Sequence, residues 1–499
     1  MPAGSLRFLT RRELLQRSML STAAALAAQA SPTAYAQQEQ SKSPNEKIGV
    51  AVMGVNGRGG SHVQAFHASA GRNSEILHVC DVDGNVGAKM AGLISEKQDG
   101  RRPQVTEDIR KVLEDKAVDI VCIATPNHWH SLAAIWAVQA GKNVYCEKPI
   151  SHHVSEGRRA VEAARKYNKV VQTGTQSRSN PGMREAMAFL HAGNLGEVKV
   201  ARGLCYKRRE SIGPKGDYPV PGHINYDLWC GPAPMGKITR KKFHYDWHWQ
   251  WDFGNGDLGN QGIHQMDLCR WALGVNSISN AVTSYGGRFG YEDAGETANT
   301  QIVMHDYGDK SLVFEVRGLE TPKYKDVGVG IIIECTKGYL VMTSYDSGTA
   351  FDDQGAVIKS FKGGDDRYHF DNFISAVRAG DAKKLNADVE EGHLSSALCH
   401  LGNISYRLGG QVDLNHTVAA LGNVKTNDDI KATFERTVEH LKANKIDPEF
   451  TRMGVGITLA IDPKEENFTA APDGKLEAAN AMLTRVDRKP YVVPAKGQV

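Results

Sequence analysis

Gly54, Asn56, Gly57, Arg58, Gly59 and Gly60 follow directly on the apolar run Lys47–Met53 and precede a helical pattern over Ser61–Ala70. A glycine-rich turn between a strand and a helix lets backbone approach a pyrophosphate, and the helix N-terminal N–H groups then face the anion. The pattern here is Gly54-x-Asn56-x-x-Gly59, with the middle glycine of G-x-G-x-x-G displaced to position 57. Asp81 ends the next apolar run, 22 residues after Gly59. A carboxylate there accepts hydrogen bonds from the adenosine ribose hydroxyls and repels a 2′-phosphate. No arginine closely follows it, so NAD is favoured and NADP remains possible. Other residues could meet a substrate. Trp247, Trp249 and Trp251 alternate around His248, which places the three rings on one face of an extended segment. Such faces stack on sugar rings, and they are equally common as core. Tyr206 with Lys207-Arg208-Arg209, and Thr239-Arg240-Lys241-Lys242, are basic runs suited to an acidic sugar or to a solvated loop. His128, His130, His244, His248, His264 and Asp267 form no H-E-x-x-H or Cys-His framework, so no metal site is expected.

The elements that must position these residues alternate at first. Lys47–Met53, Ile76–Cys80, Val118–Ala124, Asn143–Cys146 and Val170–Thr173 read as strands, with helical patterns such as Trp129–Ala140 and Ser155–Tyr167 between them. Strands alternating with helices of this length predict a doubly wound parallel sheet. After residue 174 the texture changes. Glu197–Lys207 reads as a strand. An aromatic, loop-rich stretch runs to Asp252, and a helix is expected from about Gly259 to Leu273. Ala281–Phe289, Thr297–His305, Ser311–Val316, Gly328–Glu334 and Gly338–Thr343 follow without helices between them, which predicts an open, mostly antiparallel sheet. Helices near Tyr368–Ala379 and Glu390–Leu408 close that region. Residues 411–499, with a charged helix near Asp428–Asn444, read as a polar extension that wraps the body. The expected divisions are 1–36, 37–46 as linker, 47–173, 174–410 and 411–499.

The 499-residue chain carries 60 Lys+Arg against 57 Asp+Glu, an ordinary soluble balance that argues against a nucleic-acid partner. The excess sits at the N-terminus. Arg7, Arg11, Arg12 and Arg17 are opposed there only by Glu13, which leaves the rest of the chain formally neutral. Thr10-Arg11-Arg12-Glu13-Leu14-Leu15, a mildly apolar Ser18–Ala30 and Ala34-Tyr35-Ala36 read as a twin-arginine export signal with its cleavage site. The expected location is periplasmic or secreted. No run reaches the roughly 20 apolar residues of a membrane span. The eight cysteines lack paired spacing, and folding before export favours free, buried thiols.

Ile123-Ala124-Thr125-Pro126-Asn127-His128-Trp129-His130, Val144-Tyr145-Cys146-Glu147-Lys148-Pro149 and Gly254-Asn255-Gly256-Asp257-Leu258-Gly259-Asn260-Gln261-Gly262-Ile263-His264-Gln265-Met266-Asp267 resemble three motifs of the Gfo/Idh/MocA oxidoreductases. The resemblance spans roughly 47–408. It implies a Rossmann domain followed by an α/β domain whose open sheet often mediates a homo-oligomer, a dimer or tetramer. It also implies that Thr125, Pro126, Asn127, His130 and Glu147 border the cofactor, and that Lys148 stands beside the nicotinamide and the reacting hydroxyl. An ammonium at the carboxyl end of a parallel strand suits that role, because it stabilises an alkoxide as hydride leaves. His264 resembles the family's general base, and imidazole titrates near neutrality. Asn260, four residues earlier, is expected on the same helical face. The family often has an aspartate there. An amide takes no proton, so Asp257 or Asp267 is expected to compensate.

The resulting expectation is an exported, NAD(P)-dependent oxidoreductase acting on a hydroxyl of a sugar, glycoside or cyclitol, with its cofactor bound and recycled. Two alternatives stand beside it: a glycosidase working by transient oxidation and elimination, and a non-catalytic sugar-sensing or scaffold protein.

Overall fold

A computed structural model describes residues 46–421 and 424–499. The expected export signal, 1–36, and nearly all of the expected linker lie outside the described residues. The compact unit runs from Ile48 to Val499.

The first sheet has six strands in the order β3-β2-β1-β4-β5-β6. They are β1 (Ile48–Met53), β2 (Ser74–Cys80), β3 (Gln104–Thr106), β4 (Ile120–Ile123), β5 (Asn143–Cys146) and β6 (Val171–Thr173), all paired in parallel. β1 and β4 are buried along their whole lengths, as parallel strands covered on both faces must be. Helices α1 (Gly59–Phe66), α2 (Gly84–Lys97), α3 (Ile109–Glu114), α4 (Asn127–Gln139) and α5 (Val154–Lys166) make the crossovers. The order reverses between β1 and β4, so the crevice at their carboxyl ends is the ligand position such sheets provide.

The second sheet has twelve strands. β7 (Val198–Tyr206), β8 (Ala281–Gly287), β9 (Thr300–Asp306), β10 (Ser311–Arg317), β11 (Val329–Cys335) and β12 (Gly338–Met342) match the expected runs. Only β7 and β10 pair in parallel; the remaining neighbours are antiparallel. One face packs on α6 (Pro181–His191), α7 (Gly262–Leu273) and, beyond α8 (Asp366–Ala379), α9 (Val389–Arg407). The hairpin β13 (Ser347–Asp352) and β14 (Val357–Lys362) extends one edge.

The last ninety residues do more than wrap. β15 (Gly410–Asp413), β16 (Arg452–Val455), β17 (Leu459–Asp462) and β18 (Asn467–Ala470) join the second sheet, with β16 and β17 both pairing β8. Helix α10 (Ile430–Ala443) buries Phe434 and Leu441 against Tyr285, Ile302 and Val313 on the sheet's other face. Its polar composition hid this role, because Thr433, Phe434, Thr437, His440 and Leu441 form one buried stripe. A buried charge cluster pins the same contact. Glu315 accepts from Arg202 and Arg436, each at 2.6 Å, and Arg202 also reaches Asp428. Tyr491 then packs on Trp129 of α4, so the tail touches both sheets' layers.

All eight cysteines are free, and seven are buried. Among the described residues no helix is long and apolar enough to cross a membrane, and no cluster of side chains is arranged to hold a metal.

Candidate active site

A cavity of about 470 Å³ opens at the carboxyl ends of β1 and β4, lined on one side by the glycine-rich loop and on the other by α7 and the 229–248 stretch. Gly54, Asn56, Gly57, Arg58, Asp81, Thr125, Pro126, Asn127, His130, Glu147, Lys148, Asn260 and His264 all face it. Sequence reasoning drew these residues from five separate segments, and the fold brings them together.

The loop's geometry explains its composition. Gly54 has φ +78°, and a Cβ there would lie 2.8 Å from the Ala124 carbonyl oxygen. A Cβ at Gly59 would sit 1.9 Å from the Gly54 carbonyl oxygen, so the loop and helix can close only on glycine. Gly59 therefore shapes the wall without lining it. A Cβ at Gly57 would meet nothing within 4 Å, so the loop's open side faces the cavity there. The N-terminus of α1 carries no side-chain cap. Asp81 holds the loop from below: Oδ2 accepts from Val55 N at 2.8 Å and Oδ1 from Asp83 N at 3.0 Å. Its remaining lone pairs border the cavity. A loop kept open by Gly54 and Gly57, uncapped helix amides and a carboxylate one strand over fit a dinucleotide's pyrophosphate and ribose.

Glu147 and Lys148 end β5. The Glu147 carboxylate is buried and accepts from Arg58 Nε at 2.9 Å, His62 Nε2 at 3.1 Å and Gln176 Nε2 at 3.4 Å. Burial alone would raise its pKa; the His62 hydrogen bond and the Arg58 charge outweigh it and hold the group well below the carboxylate range. Arg58 also reaches Asp366 at 2.8 Å, tying the glycine loop to α8. His130 stands between the carbonyls of Thr125 (2.8 Å) and Pro149 (2.6 Å); its ring, disfavoured by burial from taking a second proton, donates to one of them. Asn127 donates to Asn255 at 2.9 Å, which joins the third motif to them.

Lys148 Nζ donates to the Asn260 backbone carbonyl at 2.8 Å and lies 3.4 Å from its side-chain oxygen. Burial pushes this ammonium down to about 8, partly offset by Glu147. The expected single helix from Gly259 is broken. Gly256–Gly259 forms one short turn, Asn260 adopts φ −87°, ψ −79°, and α7 begins at Gly262. Asn260 is thus not one helical turn before His264 on a shared helix. The break frees its carbonyl from an intrahelical bond and turns it to Lys148. His264 is buried, and its Nδ1 has no partner among the described residues. Burial first, then the Lys148 charge, hold its pKa well below 6.5, so the ring is a neutral imidazole at neutral pH.

Neither aspartate compensates for Asn260. Asp257 is held bidentately by Arg209 at 2.6 and 2.8 Å. Asp267, on α7, is buried against Arg178 (2.7 Å) and Ser395 (2.7 Å). Two further expected substrate residues also sit off the cavity wall. Tyr206 donates to Glu315 at 2.6 Å within the sheet, and Trp249 is buried beneath the Arg209 guanidinium, 5.1 Å from its ring. The tryptophan alternation fails because Asp246–Trp249 is a 3₁₀ turn, not a strand. Within the second basic run Arg240 is not solvated. It is 1% exposed, packed among Trp229, Phe243 and Phe253.

Sequence reasoning missed Tyr345, whose ring lies 5.0 Å from that of His264 and whose hydroxyl accepts from Gln261 at 2.6 Å. It arrives from the turn between β12 and β13, with no local signal. His244, Tyr245 and Trp247 also line the cavity. They belong to a strap, residues 208–253, laid over the Rossmann crevice. Asn225 N donates to Val82 O at 2.9 Å, Gly84 N to His223 O at 3.1 Å, and His244 Nε2 meets Asp83 at 2.9 Å.

Comparison with known proteins supplies the family. Residues 48–175 match the model of an oxidoreductase family with an NAD-binding Rossmann fold, and residues 207–440 match that family's C-terminal alpha/beta domain. The levoglucosan dehydrogenase of Pseudarthrobacter phenanthrenivorans is 29% identical over 179 residues, 36% of this chain and 39% of that protein. The inositol 2-dehydrogenase of Salmonella typhimurium is 28% identical over 157 residues, 31% of this chain and 45% of that protein. The chain thus spans less than half the length of these two relatives. The WlbA dehydrogenase of Bordetella pertussis, solved with NADH and UDP-GlcNAcA, shares the fold at a TM-score of 0.55 and 19% identity, over 72% of this chain and 97% of that one. With both of its domains matched in tandem and its glycine loop, Lys148 and His264 facing one crevice, the chain belongs to the Gfo/Idh/MocA oxidoreductase family.

Proposed function

We propose that this protein is an NAD-dependent oxidoreductase that removes hydride from a hydroxyl-bearing carbon of a sugar, glycoside or cyclitol. The observation that carries the reading is that Lys148 and a neutral His264 line one cavity together with the glycine loop and Asp81. Gly54, Gly57 and Asp81 would hold the dinucleotide, and the chemistry it supplies when bound is hydride acceptance. Lys148 donates to the reacting hydroxyl and stabilises the alkoxide as it forms. His264 takes the hydroxyl proton. Asn260 orients the Lys148 ammonium through its carbonyl.

The same proposal includes export through Arg11-Arg12, with the cofactor loaded first and retained. The strap over the crevice supports retention, since opening it breaks the Val82, Gly84 and Asp83 contacts together. Association between copies is assigned to the β11–β14 end of the second sheet, where Val357 and Ile358 are exposed. The β8–β10 face is already occupied by α10.

One observation favours a second reading, transient oxidation followed by elimination of a glycosidic group: the side chain bonded to Lys148 is the amide of Asn260, and Asp257 and Asp267, expected to compensate, are bound by Arg209 and Arg178. A panel of neutral polyols and glycosides in deuterated water separates the two. Product oxidised without solvent deuterium supports direct oxidation. Deuterium beside the former carbonyl position supports elimination. No turnover of any member, together with no dinucleotide binding, leaves the non-catalytic alternative and overturns both.

A further inference from the structure

The strap carries one group that the catalytic reading leaves unused. His248 faces the cavity with Lys148, His264 and Tyr345, yet it belongs to the 3₁₀ turn Asp246–Trp249 rather than to any of the three motifs. Its position is closely fixed. The ring stacks on Trp247 at 3.6 Å and 20°, and meets Trp249 edge-on at 5.3 Å. Its backbone lies flush against Gly254, where an added Cβ would be 2.5 Å from the His248 carbonyl oxygen and 2.6 Å from its Cα. The third motif therefore sets the height at which this turn sits.

The hydrogen bonding fixes the tautomer. Nδ1 lies 2.6 Å from the Tyr245 carbonyl oxygen, a partner that can only accept. Nδ1 therefore carries the proton. Nε2 is then a bare lone pair with no partner among the described residues. Burial and the nearby charges of Lys148 and Arg209 disfavour a second proton on this ring. A fixed, neutral, acceptor-only nitrogen selects what it meets. It accepts from a hydroxyl, gains nothing from a hydrogen, fluorine or methoxy group, and repels a carboxylate or phosphate.

We propose that His248 is a specificity-determining residue, whose Nε2 accepts a hydrogen bond from a second substrate hydroxyl, distinct from the one held by Lys148 and His264. The assignment rests on the oxidoreductase reading above. It adds to that reading a preference for substrates that carry a free hydroxyl at the position His248 meets.

The test compares wild type, His248→Ala and His248→Gln on the neutral polyol that turns over best among levoglucosan, myo-inositol and methyl D-glucosides, and on its single-site deoxy and fluoro counterparts. In wild type, replacing one hydroxyl that is not oxidised should raise KM about 10- to 100-fold, the range for an unmade buried hydrogen bond. His248→Ala should raise KM for the parent by a similar factor and add nothing further on that deoxy compound. His248→Gln, which keeps an acceptor, should recover part of the loss. Losses that multiply on the deoxy compound would show a merely structural role and overturn the proposal. Nitrogen-15 NMR of histidine-labelled protein decides the tautomer without any substrate. A protonated Nδ1 and bare Nε2 at His248 support the proposal; a protonated Nε2 overturns it. If no polyol turns over while the tautomer is as expected, the oxidoreductase reading fails. Binding of the same polyols and their deoxy counterparts to dinucleotide-saturated protein, followed by the His248 Nε2 shift, then decides the specificity role: a shift with the parent and not the deoxy form supports it, and no shift with any of them overturns it.

Discussion

Lys148→Met separates function from stability in opposite directions. The ammonium sits at the cavity wall with one carbonyl at 2.8 Å as its close partner, and burial lowers it from 10.5 to about 8. That drop corresponds to about 3 kcal/mol of cost for holding the charge in the folded protein, less a discount for its partial exposure. The sign follows from proton counting. Between about pH 8 and 10.5 the unfolded chain binds more protons at this site, so the group's destabilising effect is full below pH 8 and fades as pH rises toward 10.5. Methionine fills the same volume without charge, so the variant without cofactor should be about 1–3 kcal/mol more stable than wild type at pH 7 and should lose that advantage above pH 10. Catalysis should move the other way. Losing a charged donor to a developing alkoxide costs roughly 10²–10³ in kcat. Dinucleotide affinity should stay near wild type, because the loop and Asp81 are untouched. Urea unfolding at pH 7 and 10, turnover on a polyol panel and dinucleotide titration read the three quantities. A variant that is less stable at pH 7, or that retains turnover, would refute the placement of a desolvated catalytic ammonium here.

Other expectations follow from the same contacts. If Lys148 acts as an ammonium, kcat/KM for oxidation should fall as pH rises through about 8, while His264, held neutral, should give no acid limb near 6.5; a rate that rises through pH 8 would assign Lys148 the role of base. Asp81→Asn removes the charge facing a 2′-phosphate and should improve NADP relative to NAD by roughly tenfold, about 1.4 kcal/mol, in fluorescence titration. Glu315→Gln leaves Arg202 and Arg436 buried without their carboxylate and should cost about 3–5 kcal/mol in urea unfolding. In wild type Glu315 lies at about 2 against an ordinary 4.5, so its contribution is full above pH 4.5 and should be lost as pH falls through that window. Leu441→Ala should cost about 2–5 kcal/mol and make the tail more protease-sensitive, if α10 is an integral layer of the sheet.

Much of the fold was legible because its signals are local. The period of strands and helices to residue 173 follows from apolar runs and intervening helical stripes, and the glycines at 54 and 59 are demanded by contacts within their own turn. The residues of the glycine loop and of the two Rossmann motifs could be collected because each lies at a strand's carboxyl end. The failures concern packing between distant segments. Whether Asp257 and Asp267 face the cavity depends on Arg209 and Arg178, 48 and 89 residues away, and no spacing rule encodes those partners. Asn260 could not be placed because a helical pattern does not show where three glycines will interrupt it. His248 was hidden by reading Trp247, Trp249 and Trp251 as strand alternation, whereas a 3₁₀ turn separates them. Two of the tail's strands, β16 and β17, pair with β8 more than 160 residues earlier, so only its polarity was visible.

This crevice is expected to hold a nicotinamide dinucleotide for use by Lys148 and His264. The decisive measurement is to purify the protein from cytosolic and exported fractions, denature it and quantify the released dinucleotide. The expected result is close to one NAD per chain in both fractions, or saturable NAD binding where some has been lost in purification. A chain that releases no dinucleotide and binds none on titration would contradict it.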